Sequence, residues 1–225
     1  MIDISRNIRK DFRKFNLSRG MGSSYMDSVE KTTSVLPPYI LEERQLNVAA
    51  YDIFSRLMLD RIIYFGEDVN DVSCNIAISQ LLYLSSIDDS PIMLYINSPG
   101  GTVVDGLGLI DTMDYVKCPI GTICVGMAAS MGAVILSNGA KGKRFVLPHS
   151  RVMIHQPSAH ARGTLADMEI SLKNSQTMRE DIYQILAKNM GKTVEEITSL
   201  CDRDMWYKGE QAVEAGIVDK VLVND

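Results

Sequence analysis

Apolar residues follow two different spacings along the chain, and their alternation predicts strands connected by helices. Short apolar runs typical of buried strands occupy 61–65, 90–101, 118–126 and 143–158. The last of these runs is long enough for one or two strands. Apolar residues recur at helical spacing over 47–60, 70–88, 102–117 and 127–140. Short glycine turns join these segments, so the pattern predicts right-handed βαβ crossovers and a mainly parallel sheet. Such sheets collect their chemistry at the carboxyl ends of the strands, here "SPGG" and "GMAAS".

One unusually long helix is predicted over 164–190. Thr164 and Asp167 match a capping box at its start, and Gly191 is a typical terminator. Its apolar stripe consists of Leu165, Met168, Leu172, Ile182 and Leu186. At 1.5 Å per residue, a helix of about 25 residues is roughly 38 Å long, which exceeds what a compact domain needs. We therefore expect this helix to project into a partner subunit.

The C-terminal part of the chain predicts two further helices and a last strand. Thr193 and Glu196 form a second capping box, which opens a short helix. The tail over 206–225 has the pattern of a helix, then Gly216, then a terminal apolar strand.

The first 33 residues differ in character from the rest of the chain. Residues 1–33 are polar and include "RNIRKDFRKFNLSR", whose six lysines and arginines fit a basic arm, a removable extension or a solvated amphipathic turn. We interpret 1–33 as a leader that is flexible or removed, and 34–225 as a single globular domain.

Composition excludes several classes of protein. The chain is 46% hydrophobic and 23% charged, with a net charge of −5 and a pI near 5.3, which argues against a nucleic-acid-binding surface. Neither a signal peptide nor a run of about 18 apolar residues is present, so no membrane association is predicted. The four cysteines are dispersed without a CxxC motif and only three histidines occur, so neither a disulfide framework nor a zinc site is predicted. A reduced, cytosolic setting with buried thiols follows.

The stretch "GMAASMGA" over 126–133 raises the first chemical question, because Ser130 is its single hydroxyl. A serine among small residues is often a helix-packing residue or an N-cap. It is also the residue type of a nucleophile at a strand-to-helix junction, where small neighbours leave the oxygen accessible. Composition alone leaves both interpretations open.

A serine nucleophile needs a base oriented by a carboxylate, and donors for the oxyanion. His155 closes the strand "RVMIHQP" and is a candidate base, although a structural histidine fits the same pattern; His149 and His160 suit turn or solvent roles. Asp202 and Asp204 in "CDRDMW" are candidate carboxylates, although acidic residues before an aromatic usually suit surface or turn roles. The amides of Gly101, in "NSPGG", and of Met131 are candidate oxyanion donors, and a plain strand-ending turn is the alternative for the glycines.

Five separated motifs then resemble one family. The motifs are "YINSPGG", "DTM", "GMAASMGA", "KGKRFVLPHSRVMIHQP" and "DRDMWYKGEQAVEAGIVD". Their order and spacing resemble those of the ClpP family, the proteolytic subunits of the Clp protease, from about Ser34 to the C-terminus. The resemblance implies an α/β fold, a spiral of βαβ units (ClpP/crotonase-like) with a projecting strand-helix handle over 151–190. It implies a serine endopeptidase that cuts unfolded proteins. Its triad would be Ser130, His155 and Asp204, and its oxyanion hole Gly101 and Met131.

The resemblance also implies partners. Members of this family form two stacked heptameric rings, and a hexameric AAA+ unfoldase of the ClpX, ClpA or ClpC type feeds unfolded proteins into the chamber. ATP is used by that partner, so no cofactor or metal is expected in this chain, and the setting is cytoplasmic. Candidate residues for docking the unfoldase are Tyr95, Tyr115, Phe145, Leu147 and Leu222. Candidate ring contacts are Asp202 and Arg203, and self-cleavage of the leader is expected just before Ser34.

Three alternatives remain at this point. A crotonase-type acyl-CoA enzyme shares the spiral fold and an oxyanion hole of backbone amides, but does not need the triad. A non-catalytic ring subunit would assemble and dock an ATPase without cutting. An enzyme resembling signal-peptide peptidases would favour a membrane anchor, which the hydropathy pattern lacks.

Overall fold

The computed structural model describes residues 39–44, 47–158 and 162–223, which fall into two compact units, one ending at Ile53 and the other beginning at Phe54. In the first unit, β1 (Tyr39–Arg44) and β2 (Asn47–Asp52) pair as an antiparallel hairpin. The prediction of a helix over 47–60 was wrong for its first six residues. Hairpin pairing overrides the weak helical spacing there, and α1 covers Ile53–Leu59. The leader over 1–33 and the cleavage position before Ser34 lie outside the described residues.

The second unit alternates strands and helices as the sequence predicts. Its strands are β3 (Ile62–Phe65), β4 (Ile92–Ser98), β5 (Ile120–Ala129), β6 (Arg144–Val146), β7 (Arg151–Ile154), β8 (Met205–Lys208) and β9 (Lys220–Val221). Its helices are α2 (Asp71–Ile87), α3 (Val103–Tyr115), α4 (Met131–Ser137), α5 (Leu165–Met190), α6 (Val194–Leu200) and α7 (Glu210–Glu214).

The sheet is parallel except at one edge. Strands pair in the order β3-β4-β5-β6-β9, all parallel, and β7 joins β5 in parallel while β8 joins β7 in antiparallel orientation. β5 is long enough to pair with β6 over 122–124 and with β7 over 127–129. The sheet thus continues in two directions from one strand, and the α/β class predicted from the sequence is confirmed.

The core lies where β4 meets the helices. Ile92, Leu94 and Ile96 alternate along β4 and are fully buried, as are Leu81 of α2 and Leu109 of α3. Burying each such side chain contributes about 2 kcal/mol. This core fixes β4 and β5, whose carboxyl ends carry the two glycine-rich motifs of the sequence.

Two element boundaries differ from the sequence prediction. The segment 127–140 was predicted as one helix, but β5 runs through Ala129 and α4 starts only at Met131. The pairing of Ala129 with Met153 of β7 holds this end of β5 extended. Similarly, β8 occupies 205–208, where the tail was predicted to be helical from Trp206, because these residues pair with β7.

Helix α5 begins and ends as the sequence predicts. Thr164 and Asp167 form the capping box, and Gly191 takes the left-handed conformation at the other end. Its described side chains are buried only from Ile182 onward, whereas Leu165 and Leu172 of the predicted stripe are 77% and 55% exposed. The first half of α5 therefore projects beyond the core. Among the described residues, no helix combines the length and apolar character that crossing a membrane requires.

Candidate active site

Ser130 occupies a tight turn between β5 and α4. Its backbone has φ 53° and ψ −124°, a conformation that residues other than glycine rarely adopt. The Ser130 amide donates to the carbonyl of Met153, and its carbonyl accepts from the amide of Ala133. A serine held on a sharp strand-to-helix turn presents its hydroxyl above the sheet edge, as a nucleophile requires.

Strand pairing brings the other two groups to the same edge. Ala129 pairs with Met153 between parallel strands, which places the end of β7, followed by His155, beside Ser130. The antiparallel pair of β7 and β8 ends at Ile154 and Met205, so Asp204, just before β8, lies opposite His155. Residues 49 positions apart in the chain thus become neighbours.

The three side chains form one hydrogen-bonded line. His155 Nε2 lies 2.9 Å from Ser130 Oγ, and His155 Nδ1 lies 3.1 Å from Asp204 Oδ1. When Nδ1 carries the proton and donates it to the carboxylate, Nε2 is free to accept the serine hydroxyl proton. The His155 side chain is 28% exposed and that of Asp204 is 63% exposed. The arrangement is that of a nucleophile, a base and a residue that orients the base.

The glycine loop after β4 packs against the serine turn. A Cβ at Gly100 would lie 2.7 Å from Ser130 Cβ and 3.0 Å from the Met131 nitrogen, so no side chain fits between the two segments. The amides of Gly101 and Met131 donate no hydrogen bond to any of the residues that the structure describes. They are therefore available to a developing oxyanion.

A small apolar cleft opens beside the serine and histidine. Besides Ser130 and His155, its lining consists of Val103, Met131, Val134, Ile154, Pro157, Ile182 and Leu186. The cleft therefore suits an apolar side chain of a bound peptide.

The two candidate ring-contact residues lie next to the triad but outside it. The side chains of Asp202 and Arg203 are 73% and 91% exposed and approach each other at 3.8 Å. The turn that carries them is bound to the residue after His155: the Gln156 amide donates to the carbonyl of Cys201, and the Gln156 side chain donates to that of Asp202.

The candidate docking residues share one face of the sheet only in part. Tyr95 pairs with Ile123, which pairs with Phe145, so these side chains form a row across three strands. Tyr64 extends this row on β3 and is 41% exposed. Sequence reasoning missed Tyr64, although its alternate position in "RIIYF" was the available signal.

The remaining docking candidates lie at the ends of elements. Tyr115 ends α3 and is 81% exposed. Leu147 and Leu222 follow β6 and β9, and both are half-buried.

The thiols offer no competing nucleophile. All four cysteines are buried. Burial raises the pKa of Cys201 to about 11 and that of Cys124 to about 12, so both are protonated at neutral pH. Within the described ranges, no three histidine, cysteine or acidic residues cluster as metal ligands.

Several known proteins similar to this chain are proteolytic subunits of the Clp protease. The Clp protease family profile matches residues 44–225. The ATP-dependent Clp protease proteolytic subunits of Bacteroides fragilis (strain YCH46) and Bacteroides thetaiotaomicron are each 48% identical over 216 residues, covering 95% of this chain and 98% of each relative. The protein of the same name from Porphyromonas gingivalis is 46% identical over 215 residues, or 94% of this chain and 97% of the relative. The profile match over residues 44–225 and these identities show that this chain belongs to the Clp protease family.

Proposed function

We propose that Ser130, His155 and Asp204 are the catalytic triad with which this serine endopeptidase cleaves peptide bonds. The observation that supports the assignment is the line of contacts from Ser130 Oγ through His155 to Asp204, at 2.9 and 3.1 Å. His155 takes the proton from Ser130 as the hydroxyl oxygen attacks the peptide carbonyl. Asp204 holds the imidazole in the required tautomer and stabilises its charged form.

The amides of Gly101 and Met131 receive the negative charge of the tetrahedral intermediate in this proposal. His155 then donates its proton to the amine as the C–N bond breaks. The amine departs, and the acyl group stays bound to Ser130. A water molecule, activated by His155, attacks this ester and regenerates the free hydroxyl. The chain itself supplies every group that these steps need, so we propose no cofactor or metal for it.

Hydrolysis of a short fluorogenic peptide tests the nucleophile. We expect Ser130→Ala to lower kcat/KM by several orders of magnitude, because loss of a triad nucleophile has that effect. Ser90→Ala, in the exposed loop before β4, is the matched control. The mass of each assembly is measured by light scattering on the same samples, so that a lost assembly is not mistaken for lost chemistry.

The alternatives give different outcomes in this assay. An enzyme of the crotonase type would leave the Ser130→Ala variant as active as the wild type, which would overturn the triad. A non-catalytic ring subunit would assemble at full mass without hydrolysing the peptide even as wild type.

We further propose that the chain assembles into two stacked heptameric rings and receives unfolded proteins from a hexameric AAA+ unfoldase. The relatives are named proteolytic subunits of an ATP-dependent protease, which supports an ATPase partner. The row of Tyr95 and Phe145, with the exposed Tyr115, offers apolar side chains for docking. Cytoplasmic placement follows from this assignment and stays a prediction.

Docking is tested with a purified ClpX-type unfoldase and a folded substrate that carries its degradation tag. We expect Tyr115→Ala to lower ATP-dependent degradation at least tenfold while hydrolysis of the short peptide stays unchanged. Equal degradation by Tyr115→Ala and wild type would remove Tyr115 from the docking surface.

A further inference from the structure

Ser98 is a buried hydroxyl next to the active site with no role so far. It is the last residue of β4, is fully buried, and pairs with Ala128 of β5. Its Oγ accepts a hydrogen bond from the amide of Gly100 at 3.1 Å. A serine here therefore meets a polar group of the loop that carries Gly101.

Ser98 also lies close to the segment that carries the other proposed oxyanion donor. A Cβ at Gly132 would lie 3.1 Å from the Ser98 carbonyl oxygen and 3.4 Å from its Cβ, so β4 and the first turn of α4 are in close contact. Gly132 follows Met131, whose amide is the second proposed donor. Ser98 thus lies between the segments that carry the two donors.

The opposite side of the glycine loop is held by backbone alone. The amide of Val69 donates to the carbonyl of Gly100 at 2.9 Å, and the amide of Thr102 donates to the carbonyl of Val69 at 2.7 Å. Among the described residues, Ser98 supplies the one side-chain hydrogen bond to the Gly100–Gly101 segment. The position of the Gly100 amide thus depends on a side chain that mutation can remove, whereas the Gly100 carbonyl is held by backbone.

We propose that Ser98 is a positioning residue for the oxyanion hole, a role that rests on the proposed triad. By accepting from the Gly100 amide, its hydroxyl fixes the Pro99–Gly100 peptide unit, while the Val69 amide holds the carbonyl of the next unit. The two hydrogen bonds together set the backbone conformation of Gly100, and with it the direction of the Gly101 amide. The next amide, that of Gly101, then faces the space in front of Ser130. Ser98 itself does not contact the reacting atoms.

The expected effect is on kcat rather than on KM. A displaced donor stabilises the transition state less while ground-state contacts of the peptide are retained. Removal of a donor in other enzymes costs about 10²- to 10³-fold in kcat. Because Ser98→Ala misplaces the Gly101 donor without removing it, we expect a fall of about 10- to 100-fold.

The test measures kcat and KM for the fluorogenic peptide, and inhibition by a peptide aldehyde, which forms a tetrahedral adduct with a serine nucleophile. In Ser98→Ala we expect kcat to fall while KM changes less than threefold, and aldehyde affinity to weaken in proportion to kcat/KM. Ser98→Thr, which keeps the hydroxyl, should recover at least part of kcat. Ser98→Cys keeps the side-chain size with a weaker acceptor, and gives the same comparison if the alanine variant does not fold.

Ser137→Ala is the matched control, since Ser137 is a buried serine of α4 whose hydroxyl donates to the carbonyl of Val134. Unchanged kcat in Ser98→Ala and Ser98→Cys, with Ser130→Ala inactive, would overturn the positioning role and leave the triad intact. Equal losses in Ser98→Ala and Ser137→Ala would also overturn it, because they would reflect packing. Full activity of Ser130→Ala would instead overturn the proposed function.

Discussion

Ser130 holds a backbone conformation that side chains disfavour, and its neighbours compensate for it. Positive φ for a residue with a Cβ costs about 1–3 kcal/mol. Bonds to Met153 and Ala133 hold the turn on both sides, and glycine at position 100 leaves room for the Ser130 side chain. Small residues around the serine are thus a steric requirement of the turn, which explains the composition of "GMAASMGA".

Gly101 permits a residue-scale test of the oxyanion hole. Its φ is +154°, and a Cβ would lie 2.2 Å from the carbonyl oxygen of Val69, so Gly101→Ala must move the loop. We expect kcat to fall at least 100-fold, since one oxyanion donor contributes about that much. Gly191→Ala is the control, because Gly191 also has positive φ but has open space around it. Similar kcat values in the two variants would show that Gly101 donates nothing to the transition state.

The buried cysteines predict resistance to alkylation. Burial raises the pKa of Cys74, Cys124 and Cys201, to about 12 for Cys124 and about 11 for Cys201, so thiolate is scarce at neutral pH. Iodoacetamide at pH 7 should modify none of these three in the native protein within an hour, and all four cysteines in urea. Intact mass measures the number of adducts. Rapid labelling of Cys201 in the native protein, located by peptide mapping, would show that the turn beside Asp204 opens.

At the element scale, the sequence correctly predicted the features that depend on contacts between residues close together in the chain. Capping boxes and a left-handed glycine are local, and α5 begins and ends where they indicate. The order of strand and helix also followed from spacing. The errors at β2 and at the end of β5 arose where strand pairing, a non-local contact, decides between helix and strand.

The same distinction applies to the candidate site. Motif spacing and family resemblance predicted Ser130, His155 and Asp204, and the structure brings them together. Ser98 was missed because its contact is with the backbone of Gly100, and "NSPGG" gives no sign of which way a serine points. Tyr64 was missed because its alternate position in "RIIYF" indicates a face of the strand but not its alignment with Tyr95, which depends on strand register.

The cap of α5 predicts a local effect of mutation. Thr164 accepts from the Asp167 amide, and the hydrogen bonds from Thr164 lower the pKa of the Asp167 carboxyl. A lost N-cap costs about 1 kcal/mol, which corresponds to roughly fivefold faster amide exchange if it acts locally. We expect Thr164→Ala to raise hydrogen exchange several-fold in the first turn of α5. Exchange over residues 182–190, which pack in the core, should not change, and a uniform rise along the whole helix would contradict a local cap.

At the scale of the whole molecule, the exposed half of α5 predicts a change of assembly. Ile170 is 69% exposed and Leu172 is 55% exposed, in the part of α5 that projects from the core. If this half joins two rings, Ile170→Asp places a charge in an apolar interface and should separate them. The mass by light scattering would then fall from about 350 kDa, for fourteen chains of 25.0 kDa, to about half. Lys173→Asp is the control on the same helix, and an unchanged mass in Ile170→Asp would argue against ring contact through this face.

One buried ion pair in the second unit connects β6, the end of α4, the end of α5 and the segment before β9. Its charge leads us to predict how stability depends on pH. Arg144 of β6 is 5% exposed and donates to Asp219 before β9 at 2.6 and 3.1 Å. It also donates to the carbonyls of Ser137, at the end of α4, and Asn189, near the end of α5. Removing one partner of a buried pair costs about 3–5 kcal/mol. We therefore expect Asp219→Asn to lower the Tm by several degrees at pH 7.

The size of that effect should shrink in acid. Burial by itself raises the pKa of the Asp219 carboxyl, but hydrogen bonds and charge from Arg144, with the Gly142 amide, outweigh it and hold the pKa below its usual range. A carboxyl with a lowered pKa in the folded state contributes its full stability above its unfolded pKa of about 3.9 and loses it as pH falls through the folded value. The Tm difference between wild type and Asp219→Asn should accordingly narrow from pH 5 downward, as followed by differential scanning calorimetry. Asp89→Asn, at an exposed aspartate, is the control and should show no such narrowing. If the Tm difference between wild type and Asp219→Asn stays constant between pH 7 and pH 3, the charge of Asp219 does not stabilise the fold.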